Sequence, residues 1–403
     1  MEPANSKIDN LIQPNPAMPG SVVLDLRAVG DIAIIDRAAQ ALERYGRHYP
    51  LAEVEKFLRP ADITFGNMEM AICSDTQCQA YIPDVHPKFR SSPLTPEALK
   101  VAGFDVINLA NNHMMDWGIS GLRETLARLS DVGLPTIGAG ETLKEARRPA
   151  IIERKGLRVA FLGYSASGAW DARPQDPGTA PIDRELILDD VQAIRSGADL
   201  VVVSLHMGAV SEYPMPEGRR LVHELVDNGV DLILGHGPHV MQGVELYKGK
   251  VIAYSLGNFI FDTRPGNVDF KQIVRDRLES IILDVALTPG GEFRISGIPV
   301  MISDTFQTIP SDVENAARQL AKLNTLSRNL QRMHGLALWE HVGALNVEHE
   351  LRVLAFQARH VGLVFVLKHL TRIRWRHVRQ VLGYLTLKAK RAFGFRRSDQ
   401  VTL

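Results

Sequence analysis

The sequence predicts an α/β fold, and three observations carry that prediction. From Ser21 to about Met301, short apolar runs rich in β-branched residues alternate with helical patterns, as when strands and helices take turns along a chain. The two clearest helical patterns, 121–133 and 217–230, each stop near a glycine that a strand pattern follows. Polar residues able to bind cations collect where the strand patterns end. At 403 residues the chain can bury a full core. Acidic and basic residues balance at 46 each, so bulk charge gives no sign of nucleic acid binding.

In chain order, residues 1–20 are polar and Pro-rich, and read as a disordered or loosely attached arm. They have no basic start and no apolar run, so they do not read as a signal peptide. Strands are expected at 22–29, 63–65, 104–109, 158–164, 198–206, 231–235, 251–256, 280–287 and 293–302. The last two should pair antiparallel through the turn at 288–292, "TPGGE". The main domain is thus expected over 21–302, with a boundary near 303–311 and a helical, basic extension over 311–403. Its first helix, 311–331, opens with Ser311 and Glu314 at the spacing of a capping box.

From Leu351 to Ser398 there are twelve Lys or Arg and no Asp or Glu. Across 363–385, Val366, Leu370, Ile373 and Val381 share one helical face and Lys368, Arg372, Arg376 and Arg379 the opposite one. Such a helix either packs on the domain with a solvated basic face or makes a peripheral contact with anionic lipid or a membrane-bound partner. No run of about 18 apolar residues occurs, so a cytoplasmic protein, peripheral to the membrane at most, is expected. The two cysteines, Cys73 and Cys78, lack a second pair or a neighbouring His for zinc and are expected to be unpaired or incidental thiols, with a loop disulfide as the alternative in an oxidising compartment.

Five strand ends carry metal-competent groups: Asp31; Asn67 and Glu69; Asn111, Asn112 and His113; His206; and His236 with His239. In α/β sheets, ligands bind beyond the carboxyl ends of strands, so these groups converge if the strands share a crevice. Singly, each reads as well as a turn residue or helix cap. Together the carboxylates, amide and imidazoles form an O/N set suited to one or two divalent transition metal ions such as Mn, Fe or Zn.

The ordered motifs "GDIAI", "FGNMEMAI", "FDVINLANNHMMDWGISGLRETLARL", "HMGAVSEYPMP", "GVDLILGHGPHVMQGVEL" and "VIAYSLGNFIFD" resemble the poly-gamma-glutamate capsule-synthesis protein family of the CapA type. That family is similar to the calcineurin-like metallophosphoesterases. The resemblance covers about residues 22–302 and implies a four-layer αββα sandwich with a dinuclear metal centre. It implies Asp31 as first-strand ligand, Glu69 in place of a bridging Asp, Asn112 as ligand, His113 as catalytic acid, and His206, His236 and His239 as the remaining ligands. Three departures stand out: Ala33 occupies the position of a second ligand, the paired histidines are one residue further apart, and Met207 replaces a more usual Trp. Asp116 either orients His113 or caps the following helix. Asn258 lies beside the site or serves a turn, and the family match suggests Arg90 for an anionic substrate.

The resemblance implies a metal-dependent hydrolase of capsule or exopolymer synthesis, acting on an anionic polymer or phosphoester. The missing ligand at Ala33 supports the alternative, a non-catalytic polymer-binding assembly or export factor at the membrane surface.

Overall fold

The computed structural model describes residues 12–14, 22–74, 89–168, 170–208, 211–262 and 276–332. Two sheets stand face to face. The first runs Gln13–Pro14, Phe293–Ile302, Glu279–Leu287, Leu24–Ala33, Ile63–Met68, Val106–Asn108, Thr136–Ile137. Asn258–Phe261 also pairs with Leu24–Ala33, and Thr308–Pro310 with Phe293–Ile302. The second runs Val244–Tyr247, Lys250–Ala253, Leu232–His236, Leu200–His206, Leu157–Ser165, Ala150–Arg154. The closing pair, Glu279–Leu287 with Phe293–Ile302, is antiparallel as expected.

Burial on both faces explains the continuous apolar runs. Leu200–His206 is buried throughout. Leu200 and Val202 enter the core between the sheets, while Val201, Val203 and Leu205 meet the helices. In that inner core, Leu26, Ala28 and Val106 of the first sheet join Val159, Val202 and Leu234 of the second. Phe65 and Phe161 stack within it, ring centroids 5.9 Å apart. Burying each ring contributes roughly 2–3 kcal/mol, against about 1 for a single hydrogen bond, so packing sets the spacing of the sheets.

Outside the first sheet lie Leu42, Leu99, Leu122 and Leu129 from the helices Asp36–Tyr45, Thr95–Ala102 and Gly118–Asp131. Outside the second lie Ile187, Val191, Val222 and Leu225 from Arg184–Arg195 and Pro216–Asp227. The result is the four-layer αββα sandwich.

Four details differ from the sequence reading. The arm is docked at residues 12–14: Ile12 is buried, its N–H and carbonyl both bonded to the Asn324 side chain, and Gln13–Pro14 pairs with Ser296–Gly297. A single buried Ile in a polar stretch carries no periodicity to announce it. The helix Val313–Arg332 is capped by Asp312, whose Oδ1 accepts from Asn315 N at 2.8 Å. Ser311 donates instead to Gln319 Oε1.

This helix also packs on the sandwich, against Val244–Tyr247 and Phe293–Ile302, burying Leu323, Leu326 and Leu330. The fold therefore continues past 302. Cys73 is disulfide-bonded rather than a free thiol; Cys78 lies outside the described residues, as does the basic segment 363–385. Among the described residues no helix is long and apolar enough to cross a membrane.

Candidate metal centre

The parallel registers bring the strand ends level. Asp31 pairs with Asn67 in the first sheet, and His206 lies between Ser165 and His236 in the second. The register of Leu24–Ala33 shifts between Ala28 and Asp31, and such an irregularity re-aims the side chains beyond it. Asp31 is fully buried and heavily held. Its Oδ1 accepts from Asn67 Nδ2 at 2.8 Å and faces His236 Nδ1 at 3.2 Å. Its Oδ2 accepts from Gly237 N at 3.3 Å and lies 3.4 Å from His239 Nδ1. Burial pushes its pKa up, but the bonds from His236 and His239 outweigh this and hold it well below the usual carboxylate range.

Glu69 is the opposite case. It too is fully buried, but neither carboxylate oxygen has a hydrogen-bond partner. Burial pushes its pKa up to about 7 despite the pull of His239. Its Oε1 lies 3.5 Å from His239 Nε2 and 3.8 Å from His206 Nε2. One ligand atom each from Asp31, Glu69 and His239 fall within 4.8 Å of one another, a metal-competent triad.

The histidines complete the donor set. Burial drives the His206 pKa down to about 3, which keeps the ring neutral and able to ligate. For His239, burial is outweighed by Glu69 and Asp31, and the value rises to about 9. The Nε2 of buried His236 has no hydrogen-bond partner. His239 also adopts a left-handed backbone, φ +58°, a conformation that costs about 1–3 kcal/mol and clusters at functional sites. Gly237, φ +104°, lets the turn bring its N–H to Asp31.

Beside this cluster, His113 Nδ1 lies 2.8 Å from Asp116 Oδ2, and the following helix, Gly118–Asp131, has Trp117 at its N-cap and no side-chain cap. Burial lowers the His113 pKa, but Asp116 and Glu69 overcome it and the net shift is upward. Asn111 serves the turn: its Nδ2 donates to Met68 O and Leu109 O, and its Oδ1 accepts from His113 N. Asn112 is exposed next to it. Asn258 Oδ1 is 3.0 Å from His239 Nδ1, which places Asn258 at the cluster. Arg90 is exposed, its guanidinium 5.9 Å from the Trp117 ring centroid.

The structure gives one of these candidates, Asn67, a definite role and adds one residue that the sequence did not single out, Asn108. Asn67, inside its strand rather than beyond it, holds Asp31 and comes within 3.4 Å of His206 Nδ1. Asn108 Nδ2 in turn donates to Asn67 Oδ1 at 2.8 Å. The side chain of Asn108 reaches the second sheet, where a Cβ on Gly163 would lie 2.1 Å from its Oδ1. The available signal was a polar residue within an apolar run, "FDVINL".

The orphaned Glu69 oxygens and His236 nitrogen, set among further O and N donors, fit a divalent transition metal. Fold and cluster together define a metal-competent αββα protein. The chain belongs to the bacterial capsule synthesis protein family (PGA_cap), whose model matches residues 25–263.

It is 35% identical over 249 residues to the capsule biosynthesis protein CapA of Bacillus anthracis, covering 59% of this chain and 60% of that protein. It is 34% identical over 246 residues to the PGA biosynthesis protein CapA of Bacillus subtilis (strain 168), covering 60% and 64%. The match thus spans less than two thirds of these relatives' length. Among solved structures, a hypothetical protein from Thermus thermophilus aligns with a TM-score of 0.42 and 14% identity, over 68% of this chain and 98% of that one.

Proposed function

We propose that this chain is a metal-dependent hydrolase of the metallophosphoesterase type, serving the synthesis of a capsule or of a poly-gamma-glutamate-like exopolymer. The observation that carries the reading is Glu69, a fully buried carboxylate with no hydrogen-bond partner, facing two imidazoles. Left without a cation, such a group is costly, and a metal is the natural counter-charge. Asp31, Glu69, His206, His236 and His239, with Asn112 at the exposed side, would hold one or two ions of Mn, Fe or Zn.

Bound there, the metal would supply Lewis acidity and a hydroxide near neutral pH. The protein's own groups divide the remaining work. Asp31 and the histidines fix the charge balance, and Asn67 orients Asp31. His113, kept protonated to higher pH by Asp116 and Glu69, holds a proton for a leaving oxygen. The substrate is an anionic polymer or phosphoester, with Arg90 at the rim.

Metals per chain, measured by elemental analysis, and hydrolysis of phosphoester and amide-polymer panels test this proposal. Asn112→Ala and His239→Ala should each abolish hydrolysis. Metal-replete protein inactive on every panel member would sink it.

One observation favours the second reading, a non-catalytic polymer-binding factor. Ala33 is buried among Ile35, Met70, Phe261 and Ile302, an apolar setting that offers no ligand. Polymer binding by metal-replete, inactive protein would support it. In either case the basic segment 363–385 is proposed to reach an anionic membrane surface or a membrane-bound partner. Membrane fractionation unchanged by deletion of 351–403 would exclude that contact.

A further inference from the structure

Arg277 lies at the site end of the first sheet. It precedes the strand Glu279–Leu287, which runs antiparallel to Leu24–Ala33, so the start of the one meets the end of the other near Asp31. The Arg277 carbonyl accepts from Asn258 Nδ2 at 3.0 Å, and Asn258 Oδ1 lies 3.0 Å from His239 Nδ1. Two hydrogen-bond steps therefore separate Arg277 from the metal-competent triad. The residue after it, Leu278, packs with Ala33 and Phe261, and the Phe261 ring meets the His239 ring edge-on at 5.2 Å.

The side chain is anomalous for its place. Arg277 is half-buried, its Nε is out of contact with solvent, and that atom has no hydrogen-bond partner. No acid among the described residues pairs with it. The acids flanking it are engaged elsewhere: Asp276 with Lys322 at 3.0 Å, and Glu279 with Arg318. Burial alone moves its pKa, downward, with no carboxylate to offset the loss of solvent. Buried charges are ordinarily paired, and guanidinium presents a planar fork of donors that matches an oxyanion.

We propose that Arg277 is an oxyanion-binding residue of this site, holding a phosphoryl or carboxylate group of the substrate beside the Asp31–Glu69–His239 triad. The inference rests on the reading of that cluster as a metal site, and deepens it by naming what receives the substrate's charge. Arg90 is exposed against Trp117, whereas the Arg277 backbone lies on the chain of contacts that leads to His239.

The test is titration calorimetry on the full metal-loaded chain, with inorganic phosphate in one arm and glutarate in the other. Arg277→Gln should weaken binding in at least one arm by on the order of tenfold or more. Arg277→Lys, which keeps the charge and loses the fork, should fall between. The Asn258 contact uses the Arg277 backbone, so both variants retain it; thermal unfolding of each verifies the fold. The arm that responds tells phosphoryl from carboxylate recognition. Metals per chain on the same preparations test the underlying reading separately: a metal-free wild type refutes that reading without involving Arg277. Equal anion affinity in wild type and Arg277→Gln, or no binding of either anion by the wild type, overturns the proposal.

Discussion

Glu69 Oε1 lies 3.5 Å from His239 Nε2, and this contact joins the two sheets across the site. Glu69 follows the strand Ile63–Met68 of the first sheet, and His239 follows Leu232–His236 of the second. Each shifts the other's proton affinity: His239 pulls the Glu69 value down against burial, and Glu69 lifts that of His239 to about 9.

The metal-free protein should therefore lose stability as pH rises through Glu69's titration. A folded-state value of about 7, against 4.5 for the free group, means the fold holds a proton that the unfolded chain has released. That contribution is fully present below pH 4.5 and is lost as pH climbs through 7. It amounts to on the order of 3 kcal/mol. Denaturant unfolding of metal-stripped wild type and Glu69→Gln at pH 5 and pH 8 reads it directly. The wild type should lose more stability between the two; equal losses would refute the assignment.

Metal uptake should expel protons. With a value of about 9, His239 is still protonated at pH 8 in the metal-free cluster, and a ligating ring nitrogen must give that proton up. Calorimetry with Mn or Zn at pH 8, in two buffers of different ionisation heat, should show release of about one proton per site. Heats independent of the buffer would remove His239 from the ligand set.

Asp116→Asn separates orientation from ligation. Asp116 bonds His113 and raises its pKa, so its loss should leave metal content intact and lower kcat/KM on the order of tenfold or more. A general acid works below its pKa. The alkaline limb of the pH profile should consequently move to lower pH in the variant. An unmoved limb would assign Asp116 a structural role only.

Gly163→Ala tests the asparagine relay from the far side. The new methyl would stand 2.1 Å from Asn108 Oδ1, and Asn108 positions Asn67, which holds Asp31. Overpacking of this kind costs about 1–3 kcal/mol, visible in thermal unfolding, and should reduce metal occupancy as well. Gly197→Ala, whose nearest contacts lie at 3.7 Å, is the control.

Much of the scaffold was legible because buried parallel strands must be apolar and must end somewhere. The runs at 198–206 and 280–287 gave their strands almost to the residue. Polar residues at the ends of the first of these and of other strand runs included Asp31, Glu69, His206, His236 and His239, which the fold brings together. What stayed hidden depends on contacts distant in sequence. Asn108 is a polar residue in a three-residue strand, and its importance lies in Asn67 and in Gly163 across the sandwich. Ile12 is fixed by Asn324, 312 positions away. The Ser311 cap failed for a local reason: Asp312, one residue on, is equally suited to capping and wins.

The division of the cluster between the sheets has a mechanical side. Both acids stand on one leaf of the sandwich and the three imidazoles that face them on the other, with the stacked Phe65 and Phe161 rings in the layer between. The gap between the leaves would thereby also set the bite for a metal bound by these groups. A core truncation such as Phe161→Leu, remote from any ligand, would register as a change in metal affinity. Bound metal would in turn act as a clasp, opposing any separation of the two leaves.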